Sequence, residues 1–135
     1  MTQAAFDTFS EPELRTLSYR DALRATMRDA LARHPHVVIL GQGVDDHKAI
    51  FGTTLGLAEQ FGRERVMDTP IAEEGMTGVA IGASLGGLYP IHTHIRVDFA
   101  MLAMNQIVNL MAKYRYMFGG RLKVPMLVRL VIGRG

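Results

Sequence analysis

The residues best suited to chemistry lie in one stretch, Asp68-Thr-Pro-Ile-Ala-Glu-Glu-Gly-Met-Thr-Gly-Val-Ala-Ile-Gly-Ala83. Here a short apolar strand hands over to a glycine-lined helix, with Glu73 and Glu74 at the junction. Ligands of open α/β sheets collect at such strand-to-helix turns. An acid beside so apolar a segment is placed to hold or share a proton. The plainer alternative is that Glu73 only caps its helix, since first-turn acids complement the helix dipole. Glu74 reads as a solvated first-turn acid. Downstream, His92 and His94 alternate along a strand and so share a face. Such a pair can hold zinc, but no third ligand is evident, and no metal site is expected. His34, Pro35 and His36 read as a surface turn. Lys113, Arg115, Arg121 and Lys123 form a modest basic patch, read as a solvated face rather than an anion site.

Gly78, Gly82 and Gly86 recur every four residues on one helix face. Each costs roughly 1 kcal/mol of helix propensity and asks for a reason. Two readings stand: a contact with another subunit or domain, or close packing on the chain's own sheet.

The elements that must position these residues follow from periodicity and punctuation. Ser18 and Asp21 open a helix with a capping-box-like start, and Pro35 closes it. Its apolar face carries Ala22, Leu23, Met27, Ala30 and Leu31. Val37 to Leu40 is a continuous apolar strand of the kind buried on both faces of a parallel sheet. Gly41-Gln-Gly43 begins a polar loop through Lys48. Thr54 to Phe61 is expected to be a short helix ending at Gly62, and Val66-Met67 a short strand. The Glu73 helix runs to Gly86-Gly87, and Tyr89 to Ile95 is the next strand. Asp98 is a candidate N-cap for the longest helix, with Phe99, Ala103, Gln106, Ile107, Leu110, Met111, Tyr114 and Phe118 on one side. Gly119-Gly120 stops it. Val124 to Ile132 is a final strand.

This alternation predicts a three-layer α/β fold, a largely parallel sheet with helices on both faces. Residues 1–16 read as an N-terminal arm and 17–135 as one domain. An apolar last strand needs cover on its far edge, so the domain is expected to be incomplete at its C-terminus.

Composition narrows the function classes. A chain of 135 residues suits one core, and 48% hydrophobic with 21% charged residues argues against disorder. Without cysteine there is neither a disulfide scaffold nor a thiolate metal site, and no signal peptide is read at the start. A cytoplasmic location is the expectation. A net charge of +2 without interleaved aromatic and basic residues speaks against nucleic acid. The uncharged run Gly75 to Ile91 is shorter than the roughly 20 apolar residues of a membrane span and is broken by Pro90, so no membrane is expected.

Glu73, Gly78, Val79 and Gly82 also fill a known pattern: Glu, four residues, Gly, an apolar residue, two residues, Gly. Leu17-Ser-Tyr-Arg-Asp-Ala-Leu, Val37-Val-Ile-Leu-Gly, Gly87-Leu-Tyr-Pro-Ile, Asn105-Gln-Ile-Val-Asn and Val124-Pro-Met-Leu-Val-Arg accompany it in order. Together they resemble the β subunit of the thiamine-diphosphate-dependent first component of 2-oxo-acid dehydrogenases (pyruvate, branched-chain and acetoin types). The resemblance implies the transketolase-like pyrimidine-binding domain, and Glu73 as the carboxyl that hydrogen-bonds the pyrimidine ring nitrogen. In that role burial would raise its pKa and the helix start would lower it, and desolvation by a stacked ring would have to win.

By the same correspondence Ile71, Ile95 and Phe99 shape the pyrimidine pocket, although helical spacing alone reads Phe99 as ordinary core. The implied activity is oxidative decarboxylation of a 2-oxo acid with acyl transfer to a lipoyl group. The implied partners are an α subunit, a second β subunit and the lipoyl-bearing acyltransferase.

The family's Gly-Asp-Gly motif with its downstream Asn, which holds magnesium and the diphosphate, is absent. Only the pyrimidine half of the cofactor site is therefore implied, with magnesium on the α partner. Departures are Gln42 and Gly43 where members usually carry acids, Leu102 where many carry Gln, and His92, His94 and Arg96, which many lack. The Met126 carbonyl corresponds to a potassium ligand in some members, but the remaining ligands would lie past Gly135. The alternatives are a transketolase-like or acetoin-cleaving relative and a non-catalytic domain that binds an α subunit.

Overall fold

A computed structural model describes residues 17–133, and the expected arm at 1–16 lies outside them. The first helix, α1 (Tyr19–Arg33), starts where Ser18 accepts the backbone N–H of Asp21 at 3.1 Å while its hydroxyl donates to the Asp21 carboxylate. The capping-box-like start read from the sequence is thus present, with the carboxylate taking the Ser18 hydroxyl rather than its backbone N–H. Strand β1 (Val37–Gly41) follows and is buried along its whole length.

The chain then makes a short turn, α2 (Ala49–Gly52), and a helix, α3 (Leu57–Phe61), before β2 (Val66–Asp68). Helix α4 (Glu73–Leu85) and strand β3 (Tyr89–His94) complete the centre of the fold, and β4 (Leu127–Leu130) is the last strand. The sheet order is β2-β1-β3-β4 and every pairing is parallel. Ile39 lies opposite Val66 on one side and Ile91 on the other.

Alternation along β1 divides the core. Val37 and Ile39 join Met27 and Leu31 of α1, Leu57 and Ala58 of α3, and Ile91 on one face. Val38 and Leu40 meet Ala80 of α4 on the other, with Met67, Met76 and Met126 packed around them. Helices thus cover both faces of a parallel sheet, the three-layer arrangement expected. A second device ties the first layer down. The Arg65 guanidinium donates to the carbonyls of Leu31, His34 and Val37 at 2.9, 2.8 and 2.9 Å, clasping the end of α1 and the entry to β1. No helix among the described residues is long and apolar enough to cross a membrane.

Three expectations need correction. The single long helix from Asp98 is a tight 3-10 segment (Val97–Ala103), a π segment (Asn105–Met111) and a short α5 (Tyr114–Met117). Three residues per turn align Ala100 with Ala103, and those two are the buried residues of the 3-10 segment, which packs on α4. The loosened winding after it carries an i→i−5 bond from Ala112 to Ile107, and no residue of the π segment or α5 is fully buried. Asp98 makes no cap and pairs with Arg96 instead. The expected helix over Thr54–Phe61 begins only at Leu57, because Gly56 takes a left-handed conformation. The expected strand over Val124–Ile132 is regular only over Leu127–Leu130, a half-covered edge. Gly119 and Gly120 stop α5 with positive φ, as read from the sequence.

Candidate functional site

The site forms where the strands end. Gly41 closes β1 against β3 so tightly that a Cβ there would lie 2.2 Å from the Thr93 carbonyl oxygen. That approach brings the next residue, Gln42, to the start of α4. Ala72 precedes α4 without a side-chain cap, and Glu73 is the first residue of the helix.

Glu73 is only 8% exposed, and its Oε1 accepts the Gln42 Nε2–H at 3.1 Å. The Gln42 amide and the Glu73 backbone N–H hold the carboxyl below its ordinary pKa, against the opposing push of burial. The hydrogen bond from Gln42 and the backbone N–H together outweigh desolvation.

Glu73 opens onto a cavity of about 530 Å³, within the usual range of small-molecule sites. Ile71, Ile95, Phe99 and Leu102 supply apolar wall, and Asp46 and Asp68 stand at its polar side. Glu73 is the only buried residue among those lining it. The four residues singled out from the sequence, Ile71, Glu73, Ile95 and Phe99, thus surround one cavity. Phe99 is 42% exposed and so is not ordinary core. The neighbouring Glu74 is exposed, with Asn105 at 3.5 Å.

Behind Glu73, one helical turn on, the buried Thr77 hydroxyl lies 2.7 Å from the Glu73 carbonyl oxygen, 3.1 Å from His92 Nε2 and 3.3 Å from His94 Nε2. His92 Nδ1 faces the Leu40 carbonyl at 3.3 Å, so that nitrogen carries the proton and Nε2 accepts. The Thr77 hydroxyl donates to the Glu73 carbonyl and stands within hydrogen-bond reach of both imidazoles. Burial holds both imidazoles neutral, and that of His92 titrates at about 4.

The histidine pair is therefore a buried brace under the first turn of α4. Among the described residues no three His, Asp or Glu side chains gather at a metal-binding spacing. Arg96 faces a separate cavity of about 380 Å³, which shares Ile95 as a wall.

Sequence reasoning missed two residues. Thr77 stands four after Glu73, hence on the same helix face, and that spacing was a usable signal. Gln42 was visible only as a departure from an acidic position. The glycine row does not pack on the chain's own sheet. Thr77, Ala80, Ile81 and Ser84 form the buried face of α4, whereas Gly82 is exposed and a Cβ there would meet nothing within 4 Å.

A parallel α/β layer with an acid and an apolar slot at the carboxyl ends of its strands defines a ligand-binding domain of the doubly covered α/β class. The family model described as "Transketolase, pyrimidine binding domain" matches residues 15–135, and the chain belongs to that family. It is 42% identical over 113 residues to the pyruvate dehydrogenase E1 component subunit beta of Rickettsia bellii (strain RML369-C), covering 84% of this chain and 35% of the relative. It is 43% identical over 119 residues to the 2-oxoisovalerate dehydrogenase subunit beta of Bacillus subtilis (strain 168), covering 88% and 36%. The acetoin:2,6-dichlorophenolindophenol oxidoreductase subunit beta of the same bacterium is 38% identical over 133 residues, covering 90% and 39%. The chain thus spans little more than a third of the length of these relatives.

Proposed function

We propose that residues 17–135 form one domain that supplies the pyrimidine half of a thiamine-diphosphate site in a 2-oxo-acid dehydrogenase β subunit. One observation carries this reading: the buried Glu73 carboxylate and the apolar Ile71, Ile95 and Phe99 share one cavity at the strand ends. A flat heteroaromatic ring suits such a slot, with Glu73 at its polar edge. When bound, thiamine diphosphate supplies a nucleophilic carbon that attacks a 2-oxo acid. Gln42 donates to Glu73 Oε1, which would leave Oε2 to hold or share a proton with the ring nitrogen. Ile71, Ile95 and Phe99 orient the ring and exclude water from that hydrogen bond. The result is a proton held between Glu73 and the ring nitrogen.

The diphosphate and its magnesium belong on an α subunit under this reading. Gly82, exposed on α4 and flanked by Val79 and Leu85 at 55% and 42% exposure, supports a subunit contact, with a second β subunit among the partners. The dehydrogenase names of the relatives support a 2-oxo acid as substrate, and its decarboxylation with acyl transfer to a lipoyl-bearing acyltransferase completes the proposed reaction.

Glu73→Gln tests the assignment. In the protein assembled with its α partner, the variant should assemble normally and lose about 10²–10⁴-fold in turnover of a 2-oxo acid, the range of a positioned acid–base group. Turnover within twofold of the parent protein would overturn the role given to Glu73.

A further inference from the structure

We infer that a second cavity, separate from that of Glu73, is a carboxylate site in which Arg129 anchors a short apolar monocarboxylate. It lies between α1, the turn α2 and β4, and it shares no lining residue with the Glu73 cavity. Leu23, Ile50, Phe51 and Val131 give it apolar walls. Arg20 and Arg129 are the charged residues among those lining it, and none is acidic. Its volume of about 310 Å³ is at the lower end for small-molecule sites, which favours a ligand of few carbons. The inference stands apart from the proposed function and needs no thiamine diphosphate.

Register explains how a cation comes to face this space. Arg129 of β4 lies opposite Thr93 of β3, so the two side chains share one face of the sheet. That is the α1 face, to which Ile91 and Val131, each two residues away along its strand, also contribute. Arg129 Nη1 is shielded from solvent without a hydrogen-bond partner, and the adjacent Thr93 Oγ1 is in the same position. Asp21 of α1 does not answer the Arg129 charge, since it already pairs with Arg20 at 3.2 Å and Arg24 at 3.4 Å. Burial disfavours that charge, yet a guanidinium keeps its proton at any physiological pH. A charge so placed calls for an anion. A carboxylate fits best, because its two oxygens match the parallel N–H groups of a guanidinium. The apolar walls then suit an alkyl chain, and a second charge on the ligand would be left without a partner against them.

Isovalerate is the probe, and isoamyl alcohol, with the same branched chain and no charge, is the control. Nitrogen-15 NMR of the full chain should show saturable shifts at Leu23, Ile50 and Arg129 on adding isovalerate. The alcohol should bind at least about tenfold more weakly, the loss expected for one charge-assisted hydrogen bond. Arg129→Gln should weaken isovalerate by a similar factor, whereas Glu73→Gln should leave its affinity within twofold. No saturable shift at tens of millimolar isovalerate, shifts confined to the Glu73 cavity, or equal affinity for acid and alcohol would each overturn the inference. The shift mapping and the alcohol comparison use the parent chain, so they decide the matter even if Arg129→Gln fails to fold.

Discussion

At the scale of single residues, the brace beneath Glu73 sets how the domain responds to acid. Folding pushes His92 from an ordinary value of 6.5 down to about 4, chiefly through burial. The unfolded chain therefore binds a proton that the folded chain refuses between those two values, and stability falls as pH drops through that window. Above about pH 7 the effect vanishes, because both states are neutral. The cost reaches about 2 kcal/mol by pH 5, at 1.36 kcal/mol per unit. Glu73, whose pKa is lowered, adds its own loss only near and below the ordinary carboxyl value of 4.5. Urea midpoints at pH 7 and pH 5 should thus differ in the parent chain and differ less in His92→Leu. An equal difference in both would exclude His92 as the sensor.

The role of this pair was not legible in the sequence. Alternation showed that His92 and His94 share a face, but not that Thr77 from another element meets both. Glu73 was legible because its signal is local, an acid at a strand-to-helix turn. Gln42 acts across 31 residues, and one sequence shows no such pairing.

At the scale of elements, the junction of β1 with β3 carries the most consequence. Gly41→Ala would drive a methyl group into a backbone oxygen that cannot move without breaking the sheet. It should cost at least about 2 kcal/mol, at the upper part of the usual overpacking range, measurable as a lowered denaturation midpoint at unchanged m-value. A loss below 0.5 kcal/mol, the ordinary scatter of surface substitutions, would show that β1 and β3 have room to part there. The first three strands and α4 were read correctly because continuous apolar runs and glycine stops mark them.

The left-handed turn at Ala49, Ile50 and Phe51 was not read, since no glycine stands at those three positions to announce it. Burial of Ile50, at 2% exposure, holds a backbone its side chain disfavours. The broken helix after β3 was misread for a related reason. Its apolar residues fit a 3.6-residue period, but packing Ala100 and Ala103 on α4 selects tighter winding.

At the scale of the whole molecule, α4 joins two surfaces. One face rests on the sheet and presents Glu73, and the other turns Gly82, Val79 and Leu85 outward. Gly82→Ala separates the two readings of the glycine row. In the chain alone it should be neutral or stabilising by up to about 1 kcal/mol, the helix-propensity gain. In the proposed assembly the added methyl should hold the partner backbone away and weaken association, seen as earlier dissociation on dilution in analytical ultracentrifugation. Unchanged association would move the subunit contact off this face.

The Arg65 clasp has an evolutionary meaning. Its three carbonyl contacts and the β1–β2 pairing hold both ends of the segment from Gln42 to Arg65, and Val44, Ile50, Leu57 and Ala58 tie its middle into the core. Lengthening a loop whose ends are already fixed costs little. The exposed turn at Asp46, His47 and Lys48 can therefore gain, lose or exchange residues beside the cavity without unseating the strands. Variation there would reshape one wall of the site while leaving the scaffold that carries Glu73 in place.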